Sequence, residues 1–204
     1  VQKAYNVDAD RVHLTGLSMG GGGTWTIGLR YPDRFASISP VCGGADMDLM
    51  PWTEGWGALD RELMSLTGVT RIAENAANQQ VFVFHGDEDD AVAVAASRKV
   101  MEAFAKAGLA GTKVRYFELP GVTHFARDFA YRDASLYRRV EAVRRNPFPE
   151  RVVYSTFSPR YTRAYWLRVD RIDKGLALAR IEGTQKAGAF DVKTDNLSAF
   201  SLLL

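Results

Sequence analysis

Along roughly the first 146 residues, short apolar runs alternate with longer segments whose apolar side chains recur at helical spacing. Residues 81–84 form a run with no polar interruption, which is typical of a strand buried on both faces. This alternation predicts an α/β fold, in which crossover helices connect the strands of a parallel sheet. Strands are predicted over residues 12–16, 36–41, 81–84 and 113–119, and helices over residues 20–31, 94–107 and 127–145.

The pattern changes after Asn146-Pro147-Phe148-Pro149, where helical spacing gives way to alternation of apolar and polar residues. Short alternating runs with Gly or Asn between them predict a small antiparallel β module. Its strands are predicted over residues 152–154, 164–172, 177–182, 190–194 and 197–204. We therefore expect two parts, an α/β portion over residues 1–146 and a β-rich module over residues 147–204.

Residues 43–80 separate the second and third predicted strands, and this segment is far longer than the usual connection of about 2 to 6 residues. Two interpretations stay open. The segment contributes either a helix packed on the sheet edge or a cap over a substrate cleft. Its large apolar residues are Met47, Met50, Trp52, Trp56 and Met64.

Composition narrows the class of protein. The chain has 204 residues, 47% hydrophobic and 25% charged, with a formal net charge of +2, which is ordinary for a globular protein. No apolar run approaches the roughly 20 residues that cross a bilayer, so no membrane span is expected. The single cysteine, Cys42, excludes an internal disulfide and a cysteine-based zinc site.

Acidic residues interrupt the arginine-rich stretch over 138–171 and no nucleic-acid motif accompanies it, so no nucleic-acid partner is expected.

The segment Gly16-Leu17-Ser18-Met19-Gly20 lies between a predicted strand and a predicted helix. Gly-x-Ser-x-Gly in that context is typical of a nucleophile elbow, a tight turn that raises the serine above the sheet. The N–H of Met19 then lies at a helix N-terminus, where it can stabilise an oxyanion. The glycines at 20–23 also fit a phosphate-binding turn, but neither a Gly-Lys-Ser/Thr nor a Gly-x-Gly-x-x-Gly order accompanies them.

A serine nucleophile needs a base, and the chain has three histidines. His13 precedes Ser18, against the order serine, acid, histidine that follows such an elbow. His85 precedes the candidate acids, and its His-Gly pair is better suited to shaping a turn. His124 follows the last parallel strand, on the carboxyl edge where open α/β sheets gather their sites, so it is the candidate base.

The acid that orients the base is expected in the loop after the third strand, which contains Asp87, Glu88, Asp89 and Asp90. Only one of the four carboxylates can reach Nδ1 of His124 and be held there by the turn. The residues alone leave the choice open.

Several segments together resemble the catalytic half of the α/β-hydrolase superfamily. The resemblance is strongest to bacterial esterases and prolyl-oligopeptidase-like hydrolases, including phospholipase/carboxylesterase, feruloyl esterase and polyhydroxyalkanoate esterase relatives. In that family the acid of His-Gly-x-x-Asp-x-x-Val orients the base, which implies Asp89, with Asp87 as second choice. The resemblance is carried by Gly16-Leu17-Ser18-Met19-Gly20-Gly21, Tyr31-Pro32-Asp33-Arg34-Phe35-Ala36, Pro40-Val41-Cys42-Gly43-Gly44, His85-Gly86-x-x-Asp89-x-x-Val92 and Pro120-Gly121-x-x-His124.

The resemblance implies a serine hydrolase that cleaves carboxylic esters through an acyl-enzyme, with Ser18, Asp89 and His124 as triad and no cofactor or metal. Its substrate would be a small-molecule or carbohydrate-linked ester, and its location secreted or periplasmic. A prolyl-oligopeptidase-type peptidase is the alternative. A catalytically silent binding or assembly fragment, holding a partner or glycan on Tyr161, Tyr165 and Trp166, is another.

The front of the chain departs from the family, whose members have about four strands before the elbow strand and take a second oxyanion donor from that region. Here Ser18 follows barely one strand. We therefore expect the rear portion of a longer hydrolase, with the edge of the elbow strand covered by a missing N-terminal segment or by a partner chain.

Overall fold

The computed structural model describes residues 4–46, 53–66 and 68–204, so the predictions on Met47, Met50 and Trp52 lie outside the described residues. The first four strands form one parallel sheet in the order β1-β2-β3-β4, as the alternation predicted. The strands are β1 (His13–Leu17), β2 (Ser37–Val41), β3 (Gln80–Gly86) and β4 (Val114–Leu119).

Helices α1 (Met19–Arg30) and α3 (Ala95–Lys106) follow β1 and β3 and pack on the sheet. Their apolar sides meet in one core, where the rings of Trp25 and Phe104 lie 5.9 Å apart. That core also contains Leu29, Ile38, Val81 and Val100, all fully buried. None of the described helices has the length and apolar character needed to cross a membrane.

The helix predicted over residues 127–145 is broken, which corrects the sequence-based prediction. The structure has α4 (Arg127–Tyr131), a short 3-10 turn and α5 (Ser135–Val140). Asp133 and Ala134 have φ values of 53° and 56°, in the left-handed region. Two such residues interrupt the i to i−4 hydrogen bonds of an α-helix, so the chain changes direction there.

The insertion over residues 43–80 divides into an exposed and a buried part. Helix α2 (Ala58–Ser65) buries none of its residues, whereas the 3-10 segment Val69–Asn78 packs on the core through Val69, Ile72 and Ala76. Asn75 in that segment donates to the carbonyls of Leu29 and Ser155, both at 2.9 Å. The second half of the insertion is therefore a helical segment packed on the core. For the first half, the interpretation as a cap over a substrate cleft stays a prediction.

The C-terminal region is antiparallel, as predicted, but has six strands in two sheets, β5-β8-β9 and β10-β7-β6. The single strand predicted over residues 164–172 is a hairpin, because Tyr165 has φ 55° and Ala164 pairs with Leu167 across a two-residue turn. The strands are β5 (Arg151–Thr156), β6 (Arg163–Ala164), β7 (Leu167–Ile172), β8 (Ala179–Lys186), β9 (Ala189–Asp195) and β10 (Leu197–Leu202).

Two aromatics that the alternative of a binding fragment placed on a partner or glycan surface lie inside instead. Tyr165 and Trp166 are buried, and their polar atoms donate to the carbonyls of Pro32 and Pro149 at 2.9 and 2.8 Å. Tyr154 donates similarly to the carbonyl of Arg30. Tyr165 and Trp166 therefore fix the β module internally and against the α/β part, and the interpretation of these two as a partner or glycan surface is wrong.

Strand β1 is an edge strand of the described sheet and pairs there with β2 alone. Tyr131 bonds to Thr15 of this strand at 2.8 Å, from the broken helical segment beside it. That a further segment or a partner chain covers this edge stays a prediction, as does the division of the chain at residue 146.

Candidate active site

Ser18 occupies the turn between β1 and α1 with φ 56° and ψ −117°, a backbone conformation that non-glycine residues rarely adopt. Its N–H donates to the carbonyl of Val41 at 2.9 Å, and its side chain forms no capping bond to the helix. Gly16 allows the turn to close, because a Cβ there would lie 2.3 Å from the carbonyl oxygen of Gly20. The strand-turn-helix geometry of a nucleophile elbow is therefore present around Ser18.

Met19 is the first residue of α1, directly after Ser18. The first N–H groups of a helix have no partner within the helix and carry its positive dipole end, so they suit a developing negative charge. Met19 as a whole is 91% exposed.

His124 and Asp89 form a close pair. Nδ1 of His124 lies 2.9 Å from both carboxylate oxygens of Asp89, whose side chain is 0% exposed against 22% for His124. The N–H groups of Ala91 and Val92 donate to Oδ1 of Asp89 at 3.0 and 2.8 Å. The turn itself therefore holds this carboxylate under the imidazole.

Asp89 stays ionised in this position. Burial alone would raise its pKa, but the Val92 N–H, His124 and further donors outweigh burial and hold the pKa below its ordinary value. An ionised carboxylate accepts the Nδ1–H of His124, so Nε2 of that imidazole is the nitrogen free to take a proton.

The other acids of the loop do not bond to His124 in the described structure. Oδ1 of Asp87 accepts the N–H of Gly121 at 2.7 Å and so links the loop after β3 to the turn after β4. Glu88 and Asp90 are exposed. The structure thus brings Asp89, and not the second choice Asp87, to the base.

His85 is buried and bonded on both nitrogens. Nε2 lies 2.8 Å from the carbonyl of Val92, so it carries the proton, and Nδ1 accepts from the hydroxyl of Ser97 at 2.7 Å. Burial lowers the pKa of His85 below its ordinary value of 6.5. His85 therefore shapes the turn that carries Asp89, in line with the interpretation of its His-Gly pair.

We expect acid to destabilise the fold partly through His85. Because its pKa is lowered on folding, the unfolded chain binds a proton below about pH 6.5 that the folded chain does not, so the free energy of unfolding falls as the pH decreases. The loss starts near pH 6.5 and grows by up to about 1.4 kcal/mol per pH unit until the folded-state pKa is reached.

Urea unfolding between pH 7.5 and 5 measures this effect. His85→Gln keeps an N–H for the Val92 carbonyl but does not titrate, so its unfolding free energy should depend less steeply on pH. The pKa of His13 is also lowered by burial, but His13 is present in both proteins and drops out of the difference. Equal pH dependence in the two proteins would contradict this assignment.

Among the described residues, Cys42, His85 and Asp89 form a cluster of side chains that are able to bind a metal ion. Their potential ligand atoms lie within 4.8 Å of one another. The His85 and Asp89 atoms are engaged otherwise: the proton of His85 goes to the carbonyl of Val92, and the carboxylate of Asp89 accepts from His124 and the turn. We interpret these hydrogen bonds as the support that holds Asp89 in place. In the sequence, the only indication that Cys42 lies here is its position after a strand that ends at the site edge.

The parallel sheet, the turn at Ser18 and the acid-histidine pair at the carboxyl edge are features of the α/β-hydrolase fold. Residues 1–142 match the model of the prolyl oligopeptidase family, Peptidase_S9, and the chain belongs to that family.

The proteins similar to this chain include a depolymerase, an esterase and an uncharacterized secreted protein. The chain is 29% identical over 126 residues to an uncharacterized secreted protein of Arthroderma benhamiae, covering 58% of this chain and 13% of that one. It is 29% identical over 114 residues to poly(3-hydroxyalkanoate) depolymerase C of Paucimonas lemoignei, covering 49% and 26%. A thermostable esterase structure superimposes with a TM-score of 0.54 at 28% identity, covering 71% of this chain and 34% of that one. The chain therefore spans only a minor part of the length of these relatives.

Proposed function

We propose that the protein hydrolyses carboxylic esters through an acyl-enzyme on Ser18. The observation that carries the proposal is the pair of hydrogen-bonding distances of 2.9 Å from Nδ1 of His124 to the buried carboxylate of Asp89. This pair leaves Nε2 of His124 basic, at the same sheet edge as the elbow of Ser18.

In the first half-reaction Oγ of Ser18 attacks the acyl carbon while Nε2 of His124 takes the hydroxyl proton. The N–H of Met19 donates to the oxyanion of the tetrahedral intermediate. When that intermediate collapses, the ester C–O bond breaks and His124 returns the proton to the leaving alcohol. Water, deprotonated by His124, then attacks the acyl-enzyme; the bond between the acyl carbon and Oγ of Ser18 breaks, the acid is released, and His124 returns the proton to Oγ. Asp89 holds the imidazole in the required tautomer throughout.

An ester substrate is supported by two relatives at similar identity, the thermostable esterase and the poly(3-hydroxyalkanoate) depolymerase. The depolymerase suggests oligomeric hydroxyalkanoate esters beside small acyl esters. Membership of the prolyl oligopeptidase family supports a second candidate, a peptidase that uses the same residues on an amide bond.

A matched substrate panel separates the two candidates. Each acyl group is offered as its p-nitrophenyl ester and its p-nitroanilide, together with peptidyl-prolyl anilides and 3-hydroxybutyrate oligomers. We expect hydrolysis of the esters and oligomers with little turnover of the anilides. The Ser18→Ala protein serves as the blank for each substrate. Faster cleavage of a prolyl anilide than of any ester would favour the peptidase and contradict the ester proposal.

A further inference from the structure

The loop that carries the acid, residues 86–92, is joined directly to the turn that carries the base, residues 119–124. Three hydrogen bonds cross between the two segments. They run from the N–H of Asp87 to the carbonyl of Leu119, from the N–H of Glu88 to the carbonyl of Val122, and from the N–H of Gly121 to Oδ1 of Asp87, at 3.1, 3.1 and 2.7 Å. We call this connection the loop clamp. It couples the position of the base to that of the acid.

Gly86 begins the acid loop and lies against the base turn with no side chain between them. It is the last residue of β3 and pairs with Leu119, the last residue of β4. A Cβ on Gly86 would lie 1.9 Å from the carbonyl oxygen of Val122 and 2.6 Å from that of Thr123. The φ of Gly86 lies outside the left-handed region, so space and not backbone conformation requires glycine here.

An added Cβ would therefore press on the backbone of the base turn. The carbonyl of Thr123 belongs to the same rigid peptide group as the nitrogen of His124. A Cβ does not lie closer than 3.0 Å to a carbonyl oxygen, so making room beside Val122 requires a movement of about 1 Å. Backbone atoms cannot turn aside as the end of a flexible side chain can, so this movement would reach His124.

The contact between base and acid tolerates little movement. Nδ1 of His124 lies 2.9 Å from both carboxylate oxygens of Asp89, an ordinary length for an N–H···O bond. The N–H groups of Ala91 and Val92 hold the same carboxylate from within its own loop, so it is not free to follow the imidazole. A further 1 Å, as a rough figure, would take this contact outside hydrogen-bonding distance.

We propose that the loop clamp positions His124 over the carboxylate of Asp89, and that Gly86 is its positioning residue, because only glycine lets the base turn lie this close. The proposal rests on the function proposed above. Gly86 acts through the position of His124 and not through contact with the substrate.

Gly86→Ala adds one methyl group at the loop clamp. We expect kcat for a small acyl ester to fall about 100-fold with KM nearly unchanged, the scale of loss for a misplacement of about 1 Å. Gly175→Ala is the matched control, because Gly175 is exposed, its φ lies outside the left-handed region and a Cβ there would meet no atom within 4 Å. Its kcat should equal that of the parent protein.

A double-mutant cycle with His124→Ala separates positioning from general damage to the fold. If Gly86→Ala acts through His124, it should cost nothing further once the imidazole is absent. The single variant His124→Ala and the double variant with Gly86→Ala should then have kcat values within about twofold of each other.

A proton resonance adds a readout that does not depend on turnover. The Nδ1–H of His124, held by the carboxylate, should give a downfield ¹H signal that is absent in His124→Ala. This signal should move upfield or disappear in Gly86→Ala and stay in place in Gly175→Ala.

An unchanged kcat in Gly86→Ala, an equal loss with and without His124, or an unchanged downfield signal would each overturn the positioning role. If Gly86→Ala does not fold, Gly121→Ala takes its place in the same cycle and under the same criteria, because alanine is strained at its φ of 68° but meets no atom within 4 Å. Ser18→Ala is measured in parallel: if hydrolysis survives there, the proposed function has failed, while the resonance still decides whether the loop clamp positions His124.

Discussion

Ser18→Ala is expected to lower kcat for a small activated acyl ester by about 10⁶-fold, the scale of loss when a serine nucleophile is removed. The alanine variant has no hydroxyl to form the acyl-enzyme, and His124 and Asp89 have no nucleophile to activate. The fold should survive, because the Ser18 side chain does not cap α1 and its N–H bond to Val41 is kept. Initial rates with a p-nitrophenyl ester, together with thermal unfolding, measure both parts of this prediction.

Ser65→Ala is the matched control. Ser65 is an exposed serine at the end of α2, and its hydroxyl donates to the carbonyl of Glu62 at 2.8 Å. We expect its activity to equal that of the parent protein. Retention of more than a few per cent of the parent rate by Ser18→Ala would show that another group is the nucleophile.

Asp89→Asn is expected to lower kcat by about 10⁴-fold, because a carboxamide neither stabilises the imidazolium nor fixes the tautomer that leaves Nε2 basic. Asparagine is nearly isosteric with aspartate, so the loss should appear mainly in kcat, with a smaller change in KM. Burst and steady-state kinetics with the same activated ester provide the measurement.

The neighbouring acid gives a control in the same loop. Asp87→Asn keeps an oxygen that can accept the N–H of Gly121, so the connection between the two turns is preserved. We expect its activity within about twofold of the parent, as for a surface substitution that removes no partner. A greater loss in Asp87→Asn than in Asp89→Asn would reverse the assignment of the two acids.

The sheet and the elbow were predictable from the sequence because their signals are local. An uninterrupted apolar run such as residues 81–84 is typical of a strand buried on both faces, and Gly16 is needed where the turn at Ser18 meets Gly20. Helix bounds differed from the structure by one residue at α1 and α3.

The broken helix after Arg127 and the hairpin at Tyr165 were not predictable in the same way. Residues with a left-handed backbone conformation are usually Gly or Asn, but here they are Asp133, Ala134 and Tyr165. Tyr165 is held by a bond from its hydroxyl to the carbonyl of Pro32, which is distant in the sequence. The alternation of apolar and polar residues predicted a strand around Tyr165 and Trp166, but it did not predict that both side chains would be buried.

The choice among four adjacent acids also depended on more than residue type. The resemblance implied Asp89, and the structure shows why this position is the one that reaches His124: the loop turns so that the N–H groups of Ala91 and Val92 meet its Oδ1. Cys42 had no such signal. Its sulfur lies within 4.8 Å of ligand atoms of His85 and Asp89, and this position depends on the register of β2 against β3, which the sequence pattern does not specify.

The central claim, that Ser18 is a nucleophile activated by His124, is tested most directly by intact-mass and peptide-mapping mass spectrometry after treatment with a fluorophosphonate. Attack on phosphorus forms a Ser18 Oγ–P bond and expels fluoride, so we predict one adduct per chain, on the peptide that contains Ser18. The adduct should be absent from Ser18→Ala and strongly slowed in His124→Ala. An unlabelled parent protein, or an adduct on another residue, would contradict the claim.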